Sequence, residues 1–251
     1  MRNYLKKHKR HIRLLLLTLA GSCGVLVLSV LWDFGIINLP PSLVYYMKFA
    51  SSGVHSLPAA DVVLPLKFHR QEHSLSCEAA TLKMVLDYHG IDVSESEVIS
   101  KIPVDATVRS GDVWGDPHVG FVGNVDGKMM IDGYGVYWEP IAVVASEWKK
   151  TGIIKNGSVS DLVGHISEGR PIIIWGYLGR GRPVSWKTPD GETVRAVNGE
   201  HTRVVYGYKG SAEKPEGFFV MDPIYGPAFW ETSELLRNWD AFERMGVVVY
   251  P

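Results

Sequence analysis

The sequence predicts an α+β domain, one mostly buried helix packed on an antiparallel sheet, behind a single N-terminal membrane-spanning segment. Three observations predict it. Nineteen residues from Leu14 to Trp32 carry no charge. A stripe of apolar residues at helical spacing runs from Ala79 to Leu86. Several short, β-branched and aromatic runs then follow in the second half of the chain, separated by polar or Gly-containing turns.

The membrane segment comes first. At about 1.5 Å per residue, a helix over 14–32 spans roughly 28 Å, close to the hydrocarbon thickness of a bilayer. Arg2, Lys6, Lys7, Lys9, Arg10 and Arg13 all stand on its N-terminal side, which puts residues 1–13 in the cytoplasm as a basic tail and the rest of the chain outside. No small-residue cleavage box follows Trp32, so the segment reads as a retained signal anchor. Ala20-Gly21-Ser22-Cys23 only loosely resembles a lipidation box, and the apolar run continues past it. Residues 33–60, with Leu39-Pro40-Pro41-Ser42 and Ser51-Ser52-Gly53, read as a linker. Residues 61–251 are left to form the folded domain.

Charge narrows the function classes. Formal net charge is −1 over 251 residues, but with the basic tail removed the remainder is clearly acidic. Phosphate backbones need clustered positive charge, so nucleic acid is not an expected partner. There is no P-loop, hence no nucleotide partner, and no G-x-S-x-G elbow.

Cys77 is the only cysteine beyond the membrane segment. Taken alone it would read as a small buried hydrophobe. Its surroundings argue otherwise. Ala79, Leu82, Val85 and Leu86, widened by Ala80 and Met84, form the buried stripe of a helix. Ser74 or Ser76 can cap the start, and Gly90 stands where the helix stops. Cys77 therefore falls in the first turn, where free N–H groups and the macrodipole favour a thiolate. Gln71, six residues upstream, can offer an amide to the oxygen of a tetrahedral intermediate, beside the Cys77 N–H.

A thiol nucleophile needs a base. His201 is expected at the start of a strand, Thr202–Tyr208, after the turn Asn198-Gly199-Glu200. The next strand, Phe218–Asp222, ends in a carboxylate. Two antiparallel strands joined by 209–216 can bring His201 and Asp222 together, so that one imidazole nitrogen is fixed and the other takes a proton. Taken alone, Asp222 would read as a turn residue before Pro223. Further strands are expected at Pro171–Tyr177 and Val247–Tyr250, with helices near Ser94–Ile102, Ser158–Glu168 and Thr232–Trp239.

The segment Gln71–Gly90, with its Gln six before Cys77 and its Leu82, Met84, Leu86, Tyr88, His89, Gly90 pattern, resembles the nucleophile region of the double-glycine, bacteriocin-processing peptidases. The resemblance continues through 111–123, Gly133–Tyr137, Gly169–Trp175, His201 and Asp222–Gly226, and is closest to the stand-alone branch of that family. It implies a papain-like cysteine peptidase fold. It also implies a peptide or protein substrate, no metal or organic cofactor, and the roles of catalytic Cys77, His201 and Asp222 with Gln71 at the oxyanion. Better-known members are joined to an ATP-driven exporter and act on the cytoplasmic side; this chain has no nucleotide-binding motif and its domain is expected outside. Glu78 also stands where a glycine often follows the nucleophile, which would crowd or charge the site. Two other readings use the same residues: a surface binding domain without turnover, and acyl transfer to an amine.

Two further features bear on metal and substrate binding. His69-Arg70-Gln71-Glu72-His73 matches a zinc-peptidase pattern, but zinc would need it on a helix and Val62–Phe68 reads as extended, so no metal site is expected there. The stretch 111–139 is too long for a simple connection; Trp114, Phe121, Tyr134 and Trp138 in it are expected to fill the core, or else to wall a peptide cleft.

Overall fold

The computed structural model describes Leu57 and residues 60–251. The tail, the anchor and nearly all of the linker lie outside these residues. Among the described residues no helix is long and apolar enough to cross a membrane.

The elements run in the order β1 (Val62–Val63), α1 (Cys77–Tyr88), α2 (Glu95–Lys101), β2 (Val104–Asp105), β3 (Phe121–Val122), α3 (Trp138–Ser146) and β4 (Thr151–Ile154). They continue with α4 (Val159–Ser167), β5 (Ile172–Lys187), β6 (Thr193–Gly210), β7 (Pro215–Asp222), β8 (Gly226–Glu231), α5 (Thr232–Trp239), a 3-10 turn (Asp240–Phe242) and β9 (Gly246–Val249). The main sheet has the order β4-β9-β5-β6-β7-β8, with β1 also paired to β6. Every pairing in it is antiparallel. β2 and β3 form a separate parallel pair.

Strand alternation divides the core. Ile173, Trp175, Val204, Tyr206, Met221 and Val247 belong to the cluster that takes in Leu82, Val85 and Leu86 of α1. Ile172, Ile174, Val205, Val220 and Val248 belong to a second cluster, with Leu162 and Ile166 of α4 and Leu235 and Trp239 of α5. A period-2 pattern buried on both faces explains why these strands read as continuous apolar runs.

Helix ends follow their local chemistry. Ser158 and Asp161 make a reciprocal capping box at α4, and Ser94 Oγ accepts from Glu97 N at α2. Past α1, Gly90 takes φ +80°, a conformation that ends helices readily when no Cβ is present. Ser76 occupies the N-cap position of α1, but its hydroxyl bonds back to His73 instead of capping.

One expectation is corrected here. His201 does not open a strand; it lies inside β6, which begins at Thr193. Asn198-Gly199-Glu200 is not a turn but part of β6, opposite a bulge in β5: between the pairs Tyr177–Glu200 and Arg182–Asn198, residues 178–181 face Gly199 alone, which sits at φ +95°. β5 and β6 extend past this bulge as a long hairpin that supports the 111–139 stretch. Trp114 N donates to Lys187 O at 2.9 Å, and Trp186 Nε1 to Gly115 O at 2.7 Å. Trp114, Phe121, Tyr134 and Trp138 are all buried and pack the core, and Phe121 and Trp138 also border two separate cavities.

Leu82, with no exposed surface, is the centre of the α1 stripe. Leu82→Ala should cost about 2–5 kcal/mol in a urea melt, whereas Val143→Ala, at a position 66% exposed, should change stability by less than about 0.5 kcal/mol.

Candidate active site

Alternation along β6 sends neighbouring side chains to different partners. Glu200 and Thr202 meet α1: the Thr202 and Thr81 hydroxyls are 3.1 Å apart, and Glu200 lies against Glu78. His201 and Arg203 meet Asp222 at the end of β7.

The His201–Asp222 pair is therefore assembled. His201 Nε2 lies 3.1 Å from Asp222 Oδ1, with both side chains buried. Arg203 Nε donates to Asp222 Oδ2 at 2.8 Å, and its guanidinium sits 4.6 Å over the Trp230 ring. The N–H groups of Ile224 and Tyr225 donate to Oδ1. Burial alone would raise the Asp222 carboxyl, but His201 and Arg203 together hold it well below the usual carboxylate range. Burial lowers His201, so near neutrality the ring is uncharged and Arg203 is the lasting counter-charge. Nε2 makes no well-aligned hydrogen bond to Asp222 in this arrangement, so the pair is held by proximity and charge.

Cys77 occupies the first position of α1, against the residue that follows His201. The thiol donates to Glu78 Oε2 at 3.2 Å; no hydrogen bond joins it to His201 among the described residues. Burial pushes the thiol well above its usual range, and the Glu78 and Glu200 carboxyls add to this; the N–H and hydroxyl of Thr202 act in the opposite direction. The structure thus brings His201 to Asp222, while the Cys77 thiol rests on the Glu78 carboxyl on the α1-facing side of β6.

Gln71 is anchored next to the same corner, its N–H donating to Pro223 O at 2.9 Å. Its amide folds back on the loop before α1, donating to His73 O at 2.8 Å and Ser74 O at 3.1 Å. Both amide hydrogens are spent on these carbonyls, and none points toward an oxyanion in this arrangement. The two histidines of the zinc-like pentapeptide take different partners: His69 bonds Glu95 at 2.6 Å and His73 bonds Asp126 at 2.8 Å.

Glu78 is more than a crowding residue. Its Oε1 accepts the Val136 N–H at 2.7 Å, tying the 111–139 stretch to α1. Burial raises its carboxyl to about 7 despite that bond, and burial with the Glu78 charge raises Glu200 well above its usual value. Glu200, Thr202, Arg203 and Asn238, which accepts from Tyr177 N at 3.2 Å, were not singled out from the sequence. The available signal was position: each neighbour of His201 on a buried strand must face either the helix or the Asp222 corner.

With this corner described, comparison with known proteins identifies the family. A family model described as the Peptidase_C39 like family matches residues 63–247. The chain belongs to that family. It is 30% identical over 154 residues to the uncharacterized protein YvpB of Bacillus subtilis, a match spanning 59% of this chain and 60% of that protein. The crystal structure of a Bacillus anthracis protein designated a C39-like peptidase superposes with TM-score 0.66 and 24% identity, covering 76% of this chain and 97% of the other. That likeness shows a shared mixed α/β fold with an antiparallel sheet. A double-glycine motif protease from an AMS/PCAT transporter, solved with a leader peptide, matches at TM-score 0.45 and 15% identity over 78% of this chain and all of its own.

Two expected outcomes follow from the buried charges. A group whose folded pKa is depressed stabilises the fold above its unfolded pKa and loses that contribution as pH falls. Asp222 is such a group, and Arg203 is what keeps it so. Arg203→Met should cost about 3–5 kcal/mol and move the acid-unfolding midpoint to higher pH, with Arg203→Lys recovering part of both. Glu78 has the opposite sign. The folded state holds its proton between about 4.5 and about 7, so its contribution falls as pH rises through that window. The thermal midpoint of Glu78→Gln should therefore decline less than wild type between pH 5 and pH 8.

Proposed function

We propose that the domain is a thiol peptidase that hydrolyses peptide bonds through Cys77, His201 and Asp222, and that residues 14–32 hold it on the outer side of a membrane. The observation that carries the catalytic reading is the orientation of His201. Its Nε2 lies 3.1 Å from the Asp222 carboxylate, which His201 and Arg203 together hold ionised, and on this reading Nδ1 takes the proton of the Cys77 thiol. Membership of a peptidase-like family supports the same reading.

In the reaction, the Cys77 thiol leaves Glu78 and gives its proton to His201 Nδ1. The thiolate attacks the peptide carbonyl, and the N–H groups at the start of α1 stabilise the oxyanion, joined by Gln71 once its amide turns from His73 and Ser74. His201 returns the proton to the leaving amine, and water, with His201 as base, cleaves the thioester.

The hydrogen bond from Cys77 to Glu78 favours a second reading, a peptidase-like binding domain in which the thiol stays neutral. Labelling of the full-length chain in detergent separates the two. On the peptidase reading, a peptidyl electrophile labels Cys77 at least about a hundredfold faster than the His201→Ala variant, and Cys77→Ser is not labelled. Labelling no faster than that of iodoacetamide, and indifferent to His201, would establish the binding-domain reading.

A further inference from the structure

Three acidic groups from two elements converge on one buried point beside the nucleophile. The Cys77 thiol and the Glu78 and Glu200 carboxyls each offer an atom, and these atoms all lie within 4.8 Å of one another. None of the three residues is more than 4% exposed. An internal acid network would be expected to satisfy its own oxygens, and this one does not: Glu200 Oε1 is buried and has no hydrogen-bond partner among the described residues. The point is also kept bare. A Cβ at Gly135 would lie 2.6 Å from both Glu200 Oε2 and Glu78 Oε1, so only glycine leaves the two carboxyls room there. Glu78 is oriented from behind by the Val136 N–H, as ligating carboxylates are commonly held by an outer hydrogen bond. Arg203, the cation that acts on Glu200, is itself engaged by Asp222.

We propose that Cys77, Glu78 and Glu200 form a zinc site in which Sγ and one oxygen of each carboxylate bind the ion and withhold the nucleophile. A thiolate with two carboxylates suits zinc and its surrogate cobalt(II); magnesium and calcium prefer all-oxygen sets. On binding, the thiol proton and the protons held by the carboxyl pair pass to solvent as the Zn–S and Zn–O bonds form, with no change of oxidation state. Inhibition rests on the peptidase reading; binding does not.

The test uses the full-length chain in detergent, reduced and metal-free, titrated with cobalt(II). The expected result is a near-ultraviolet thiolate-to-cobalt charge-transfer band with the visible bands of a four-coordinate ion, bleached by one equivalent of zinc. Cys77→Ser should abolish the charge-transfer band. Glu200→Gln, which keeps the shape of the side chain and is checked for folding by its melting curve, should weaken cobalt binding at least about tenfold. Zinc should also block iodoacetamide labelling of Cys77, and chelator should restore it. Absence of the band, a band that survives Cys77→Ser, or affinity unchanged in a folded Glu200→Gln protein would overturn the proposal. Failure of the peptidase reading shows separately, as a peptidyl electrophile that ignores His201 while the cobalt band persists.

Discussion

The buried carboxyl of Glu78 is the joint on which the site depends. One oxygen takes the Val136 N–H and the other takes the Cys77 thiol, so a single side chain joins the start of α1 to the long 111–139 stretch. Burying a carboxyl is costly unless it is neutral or fully bonded. Here both remedies operate: the pKa rises to about 7, and each oxygen has a donor. The arrangement works only because the next chain segment is glycine. Any side chain at Gly135 would collide with the carboxyls of both Glu78 and Glu200.

The second constraint is the pleat of β6. Because side chains alternate, four consecutive residues serve two environments: Glu200 and Thr202 face the helix, while His201 and Arg203 face Asp222. The environments are opposite in electrostatic character. Around Asp222 a guanidinium, a ring nitrogen and two backbone N–H groups favour the ionised carboxylate. Around Cys77 two carboxyls and near-complete burial favour neutral acids. A shift of one residue in register would exchange them and remove both, and the pairing of β6 with β5 is regular from Glu200 to Val205.

Much of this was legible in the sequence. Helix α1, its start at Cys77 and its stop before Gly90 came from apolar spacing and terminal residues alone, and the strand that ends at Asp222 came from a short apolar run before Asp-Pro. The limits have physical causes. A glycine at positive φ serves a tight turn or a strand facing a bulge alike, so Asn198-Gly199-Glu200 reads locally as either, and only the pairing partner decides. Glu78 and Glu200 stand 122 positions apart and meet through tertiary packing, and a lone Glu in a helix carries no sign that it will be buried. Gln71 shows the same limit at finer scale: sequence spacing placed it beside the site, while the direction of its amide depends on loop carbonyls that no spacing rule encodes.

The location of the thiol also bears on how such a site survives. The thiolate, not the thiol, is the form that oxidants and alkylating agents attack. A lone cysteine in a domain placed outside the membrane would be lost if it rested as a thiolate at a helix N-terminus, where the dipole favours that form. Desolvation and two neighbouring carboxyls act against the dipole, and both carboxyls have an oxygen within 4.8 Å of Sγ. The same helix end that suits the nucleophile for attack is thereby held neutral at rest. On the peptidase reading, a bound substrate would have to separate Sγ from Glu78 and bring it to His201, so that reactivity is tied to occupancy and not to pH alone.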